Sequence, residues 1–161
     1  MSEKINSEPI LPIRQIGEER WIKNLTSFLA YHDVEVISLG DENIFQKVEQ
    51  DLGWLIPSQT KEYFLHFGGI ESSDFMYNLK NIDEWEVLTN SIWEFVVMNF
   101  QPEETDNYIV FSESLSNDPI CFKRYTGQVY LFSHDPIKVV KVYKNFNDYL
   151  LNEIIDLQKL Y

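Results

Sequence analysis

Between Ser112 and Pro136 the chain reads SESLSNDPICFKRYTGQVYLFSHDP, which crowds serines, the only cysteine, a lysine, an arginine, a histidine and two aspartates into one short stretch. Cys121 and His134 would form a nucleophilic thiolate–imidazole pair if the backbone brought them within about 3 Å. The same stretch also reads as a hairpin that turns at Arg124-Tyr125-Thr126-Gly127, with Gly127 supplying a positive φ. Phe122 then pairs with Val129, Cys121 with Tyr130, and Ile120 with Leu131. Ile120, Phe122, Val129 and Leu131 share one buried face, whereas Cys121, Lys123, Gln128, Tyr130 and Phe132 share the other. His134 falls near Asn117, four residues along the strand from Cys121, which is roughly 13 Å at about 3.3 Å per residue. The hairpin reading wins, and Cys121 is expected to pack.

Other groups offer no better chemistry. His32, His66 and His134 are scattered, with no H-E-x-x-H, no Cys-x-x-Cys and no paired ligand spacing. His66 lies on the outer side of its helix if Phe64 and Phe67 face inward. Gly68-Gly69 follows a helix, whereas a phosphate cradle precedes one, so the pair reads as a helix stop. Glu103-Glu104 and Asp83-Glu84 are adjacent carboxylates, which seldom converge on one bond. No catalytic, metal-binding or cofactor-binding residue is assigned, and no enzyme activity is expected.

The elements that hold these groups follow from periodicity. Residues 1–15 contain two prolines and no stable period, and read as a loosely docked arm. Trp21, Leu25, Phe28 and Leu29 mark one face of a helix over Glu18–His32, and Asp33–Ser38 alternates like a short strand. Asp41 is placed as an N-cap ahead of Ile44, Val48 and Leu52, and Gly53 stops that helix. Pro57-Ser58 starts the next, with Tyr63, Phe64 and Phe67 inward. Phe75–Leu79 reads as a strand, Ile82–Leu88 as a helical turn and Asn90–Phe100 as a helix. From Asn107 onward, runs at Tyr108–Phe111, Ile120–Phe122, Val129–Phe132 and Ile137–Val142 read as strands. Asn145 caps a final helix that carries Phe146, Leu150, Ile154 and Leu157. The expected class is α+β: an antiparallel sheet of about four to six strands, with helices mainly on one face and a C-terminal amphipathic helix.

Composition bounds the function. The 161 residues are 44% hydrophobic and 15% aromatic, with 6 Gly and 6 Pro, as in a globular chain expected to form a single domain over 1–161. A single cysteine excludes an internal disulfide framework. No apolar run approaches a signal-peptide core or a membrane span, so the cytoplasm is the expected compartment. The formal net charge is −13, and Glu71–Asp118 alone holds eleven acids against one base, Lys80. Like charge makes nucleic acid or an anionic membrane a poor partner, and a basic protein a good one.

The segment VEQDLGWLIPSQTKEYFLHFGG, Val48 to Gly69, resembles the signature of the SUKH superfamily, which includes the fungal Smi/Knr cell-wall-synthesis regulators. Glu49, Leu52, Gly53, Pro57, Tyr63, Phe64, Phe67, Gly68 and Gly69 fill that pattern, with Ile56 in place of the usual leucine and Gly68 in place of the usual asparagine. Asp118-Pro119-Ile120 followed by Gly127-Gln128-Val129-Tyr130, and then Phe146-Asn147-Asp148-Tyr149-Leu150, extend the likeness over Asp41–Leu160. It implies an α+β fold and, for many bacterial members, an immunity protein that neutralises a polymorphic toxin, often a nuclease or deaminase. Other members resemble regulatory scaffolds. The motif consists of caps, turns and core positions, so no catalytic residue carries over.

The leading expectation is therefore a protein-binding module that blocks a basic cognate toxin; the alternative is a Smi/Knr-type regulator or scaffold in cell-wall or stress physiology. The expected contact surface gathers Glu71, Asp74, Asp83, Glu84, Glu86 and Glu94, with Trp85 and Trp93 as aromatic anchors; the alternative is that both tryptophans belong to the core and the acids are merely solvated.

Overall fold

The structure, a computed structural model, describes residues 14–31, 41–69, 77–79, 81–96, 108–114, 118–134 and 137–158. Residues 1–13 of the N-terminal arm expected over 1–15, the strand at Asp33–Ser38, and residues Phe75, Met76 and 97–100 lie outside them.

Helix α1 spans Trp21–Tyr31 and buries Trp21, Leu25, Phe28 and Leu29, the stripe its spacing predicts. Helix α2 spans Glu42–Leu52. Its N-cap is Asp41, whose carboxylate accepts the Ile44 amide at 2.8 Å and so satisfies one of the donors a helix start leaves open. Gly53 ends α2 in the left-handed conformation (φ 60°), where a Cβ would be strained. Helix α3 spans Ser58–His66 and buries Thr60, Tyr63 and Phe64.

The way α3 ends differs from expectation. It closes on Phe67, which is extended (φ −136°, ψ 159°) and donates its amide to the Tyr63 carbonyl at 2.8 Å. Neither Gly68 nor Gly69 has a positive φ. Gly69 is needed for room instead: a Cβ there would sit 2.5 Å from the Leu79 carbonyl oxygen and 2.8 Å from Asn81 Oδ1. The Gly69 amide donates to that same Oδ1 at 2.8 Å, drawing the chain after α3 onto strand β1 (Tyr77–Leu79).

A 3-10 turn at Ile82–Glu84 leads into one continuous helix, α4 (Trp85–Val96). The sequence pattern divides this region into two helical pieces, Ile82–Leu88 and Asn90–Phe100, which the structure joins over the described residues. Strands β2 (Tyr108–Ser114), β3 (Pro119–Lys123), β4 (Val129–His134) and β5 (Ile137–Tyr143) follow, and helix α5 (Phe146–Gln158) completes the described chain. The five strands form an antiparallel meander in the order β1-β2-β3-β4-β5. The β3–β4 register is Ile120↔Leu131, Cys121↔Tyr130 and Phe122↔Val129, as the turn chemistry predicts.

One sheet face, carrying Ile109, Phe111, Ile120, Phe122, Val129, Leu131 and Tyr143, joins the buried residues of α1, α2, α3 and α5 in the main core. Phe111 and Phe122 stack at 4.3 Å, and Trp85, fully buried, meets both rings and Phe64 edge-on or tilted. Aromatic pairs of this kind contribute about 0.5–1.5 kcal/mol each beyond area burial. The opposite face is not left to solvent. Tyr108, Val110, Cys121 and Phe132 form a second buried cluster, with Leu88 of α4 against it. Helix α4 thus straddles the β2 edge. Where β1 stops pairing at Leu79↔Ser112, the Thr89 hydroxyl accepts the Val110 amide at 2.9 Å. The N-terminal end of the described chain is tied down too, since buried Ile16 donates its amide to Asn147 Oδ1 of α5 at 2.9 Å.

Candidate interaction surface

Among the described residues, the groups with nucleophilic or ligating potential do not converge. Cys121 pairs with Tyr130, His134 pairs with Ile137 across the next hairpin, and burial pushes the Cys121 thiol well above its ordinary pKa. Such a thiol stays protonated and inert at neutral pH. His66 is exposed, with its ring edge-on to Trp21 at 5.8 Å. Among the described residues, no group of three or more His, Cys, Asp or Glu is placed to hold a metal ion. No helix among them is long and apolar enough to cross a membrane.

A concavity of about 540 Å³ opens between the α2–α3 connection and the β3–β4 turn, lined by Glu49, Gly53, Trp54, Leu55, Pro57, Tyr125 and Gly127. Its floor is fixed by one carboxylate. Glu49 Oε2 accepts the Ile56 amide at 2.8 Å and faces Lys61 Nζ at 3.1 Å. Because Trp54 and Ile56 are buried, the residue between them is turned outward, and Leu55 is 79% exposed. On the opposite wall Tyr125 is 90% exposed and takes a left-handed φ of 68°. That conformation is uncommon for a bulky residue and holds the ring away from the sheet. The Arg124 guanidinium donates to the Gly53 carbonyl at 3.0 Å and pins the turn to the helical connection. Two large apolar side chains therefore stand exposed at an apolar hollow between two connections that are tied together.

The acids expected to make the contact surface are distributed differently from one another. Glu71 and Asp74 lie outside the described residues. Asp83 is exposed on the 3-10 turn. Glu84 is also exposed, but its carboxylate accepts the Asn81 amide at 3.1 Å and so helps start that turn. Glu86 lies 3.7 Å from Lys47 Nζ, which in turn pairs with Asp51 at 2.6 Å. The hydrogen bond with Asp51 holds Lys47 above its ordinary pKa, Glu86 adds to this, and Lys47 holds Asp51 below the usual carboxylate value. Trp93 and Glu94 belong to α4. Trp85 is core: a fully buried ring presents no surface to a partner.

Helix α2 links the two regions. Lys47 and Asp51 reach toward α4, while Glu49 and Gly53 line the hollow. Sequence periodicity missed Leu55 and Tyr125, because both sit in connections. The available signal was an apolar residue inside a three-residue apolar loop, Trp54-Leu55-Ile56, that is too tight to bury every member.

The sequence matches the model of the SMI1 / KNR4 family (SUKH-1) over residues 39–152. No curated protein matches the chain.

Proposed function

Starting from the chain's membership of the SMI1 / KNR4 family (SUKH-1), we propose that it is a non-catalytic protein-binding module, an immunity protein that occupies a basic cognate toxin such as a nuclease or deaminase. The observation that carries this reading is the pair Leu55 and Tyr125, exposed on facing walls of the hollow. Such residues serve as anchors when a partner covers them. The acidic balance of Glu71–Asp118, eleven acids against one base, supports the choice of a basic partner. A toxin that cuts or edits nucleic acid needs a positive cleft, and an acidic surface competes for it. Electrostatic steering raises association rates by about 10- to 1,000-fold, which suits an inhibitor that must act before damage occurs.

The test is co-expression with the toxin candidate encoded beside this gene. Growth is rescued and a stable complex is isolated with the native chain, and both are lost with the double variant Leu55→Asp, Tyr125→Asp. Rescue that survives the double variant places the interface away from the hollow. No rescue and no complex with the native chain sinks the immunity reading and favours a regulatory scaffold.

A further inference from the structure

We propose that the outer edge of β5 is a second docking surface, which takes up an extended acidic segment of another protein. The inference rests on different residues from the hollow and does not depend on the toxin reading.

Strand β5 ends the sheet, pairing among the described residues only with β4. An edge strand presents unpaired backbone donors and acceptors, and an added strand satisfies them while its alternate side chains set specificity. Val139, Val140 and Val142 are 36%, 51% and 44% exposed, so three of the exposed large hydrophobic residues lie on this one strand. Their placement follows from the register. Val139 pairs with Phe132 and Val142 with Tyr130, on the sheet face of the second cluster, while a register slip between Leu131 and Phe132 leaves Val140 without a partner. That slip divides the edge into two straight arms, which suits a short segment and discourages open-ended sheet growth.

Charge selects the occupant. Lys123–Lys144 carries five bases and a single acid, Asp135, in a chain whose net charge is −13. Lys138 and Lys141 are on β5 and Lys144 follows it, all three exposed. No carboxylate lies within ion-pair distance of any of them among the described residues. Lys141 lies over the Tyr143 ring at 4.8 Å instead. A second copy pairing through its own β5 would bring two lysine-bearing edges of like charge together, and like charges across a strand pair are destabilising. Nucleic acid meets the long-range repulsion of the whole chain and has no apolar side chains for the valines. An extended segment alternating carboxylates with apolar residues satisfies the backbone, the valines and the lysines together.

The test uses two synthetic eight-residue probes, one alternating glutamate and valine, the other alternating lysine and valine, with amide chemical shifts of the full-length chain as readout. The glutamate–valine probe is expected to shift amides of 137–143 and to weaken by about tenfold or more as salt rises through the range where screening sets in. The lysine–valine probe leaves those amides unmoved. In the variant Lys138→Glu, Lys141→Glu, Lys144→Glu, with melting temperature as the folding control, the preference reverses. That reversal reads the charge even if the variant is somewhat less stable. Absence of shifts at β5 with the acidic probe overturns the proposal. So does equal binding of an oligothymidylate of matched charge at the same amides, or a dimer in sedimentation that protects β5 without any probe.

Discussion

The Glu49 carboxylate and the Ile56 amide, seven residues apart, meet at 2.8 Å and brace the α2–α3 connection from within. Lys61 closes on the same oxygen at 3.1 Å, so one acid organises both the turn and the floor of the hollow. Glu49→Ala leaves a buried amide and a half-buried ammonium unpaired, and is expected to cost about 2–3 kcal/mol. Glu49→Gln keeps an acceptor for the amide and is expected to cost about 1 kcal/mol. Urea unfolding measures both; equal losses would mean the ion pair alone matters.

Two glycines separate room from conformation. Gly69→Ala drives a Cβ into the Leu79 carbonyl, a backbone atom, and is expected to cost about 3 kcal/mol. At Gly53 nothing among the described residues lies within 4 Å of an added Cβ, so Gly53→Ala meets only the left-handed φ and loses about 1 kcal/mol. Thermal melts of the two variants should rank in that order.

Thr60 is fully buried in α3, and its hydroxyl has no hydrogen-bond partner among the described residues. Thr60→Val replaces that oxygen by a methyl of nearly the same shape. Stability is expected to rise by about 1 kcal/mol, because an unmet polar group is removed and no cavity is made. A lower urea midpoint in the valine variant would show that the hydroxyl has a partner in solution.

Tyr125 holds a strained φ of 68° and exposes its ring, a combination that costs stability. Tyr125→Gly is expected to raise stability by about 0.5–1 kcal/mol, the relief of the left-handed penalty less the added chain entropy of glycine. If the ring anchors a partner, the same change weakens binding by about tenfold or more. Opposite signs in the two measurements distinguish a recognition residue from an incidental turn.

Alkaline stability follows from two buried acids. Burial raises Cys121 above its ordinary 9.0 and Tyr63 above its ordinary 10.0. Below those ordinary values both groups are neutral in the folded and unfolded chains, and their full contribution is present. Above them the unfolded chain loses protons that the folded chain keeps, so stability falls as pH rises, by up to about 1.4 kcal/mol per unit for each group. The decline should begin near pH 9.0 in the native chain, and Cys121→Ala should delay its onset toward pH 10.0. Urea midpoints across that range check both.

The legible parts of the fold were those set by local chemistry. Asp41, Gly53, Asn145 and Gly127 act as the caps and turns their types dictate, with Asp148 donating its amide to Asn145 Oδ1 at 2.8 Å. The β3–β4 register followed from Gly127, because a shift of one residue would have turned Ile120 and Phe122 out of the core. The role of Gly69 was hidden, since the atoms that crowd it belong to Leu79 and Asn81, beyond any local window. Trp85 was ambiguous for a related reason. Its acidic neighbours mark a wet face, while its own ring is claimed by Phe64, Phe111 and Phe122 from three other elements. Of the candidate surface, charge was visible and shape was not: the hollow exists only where two distant connections are tied by Arg124 and Gly53.

The bond from the Ile16 amide to Asn147 spans 131 residues. On a ribosome adding about 5–20 residues per second, the N-terminal stretch emerges roughly ten seconds before its acceptor is made. Ile16, just ahead of α1, must wait in that interval for its acceptor, while the strand meander, whose partners are all sequence neighbours, assembles as it appears. Birth order and spatial order are thus inverted, and a residue of α5 fastens the stretch that leads into α1.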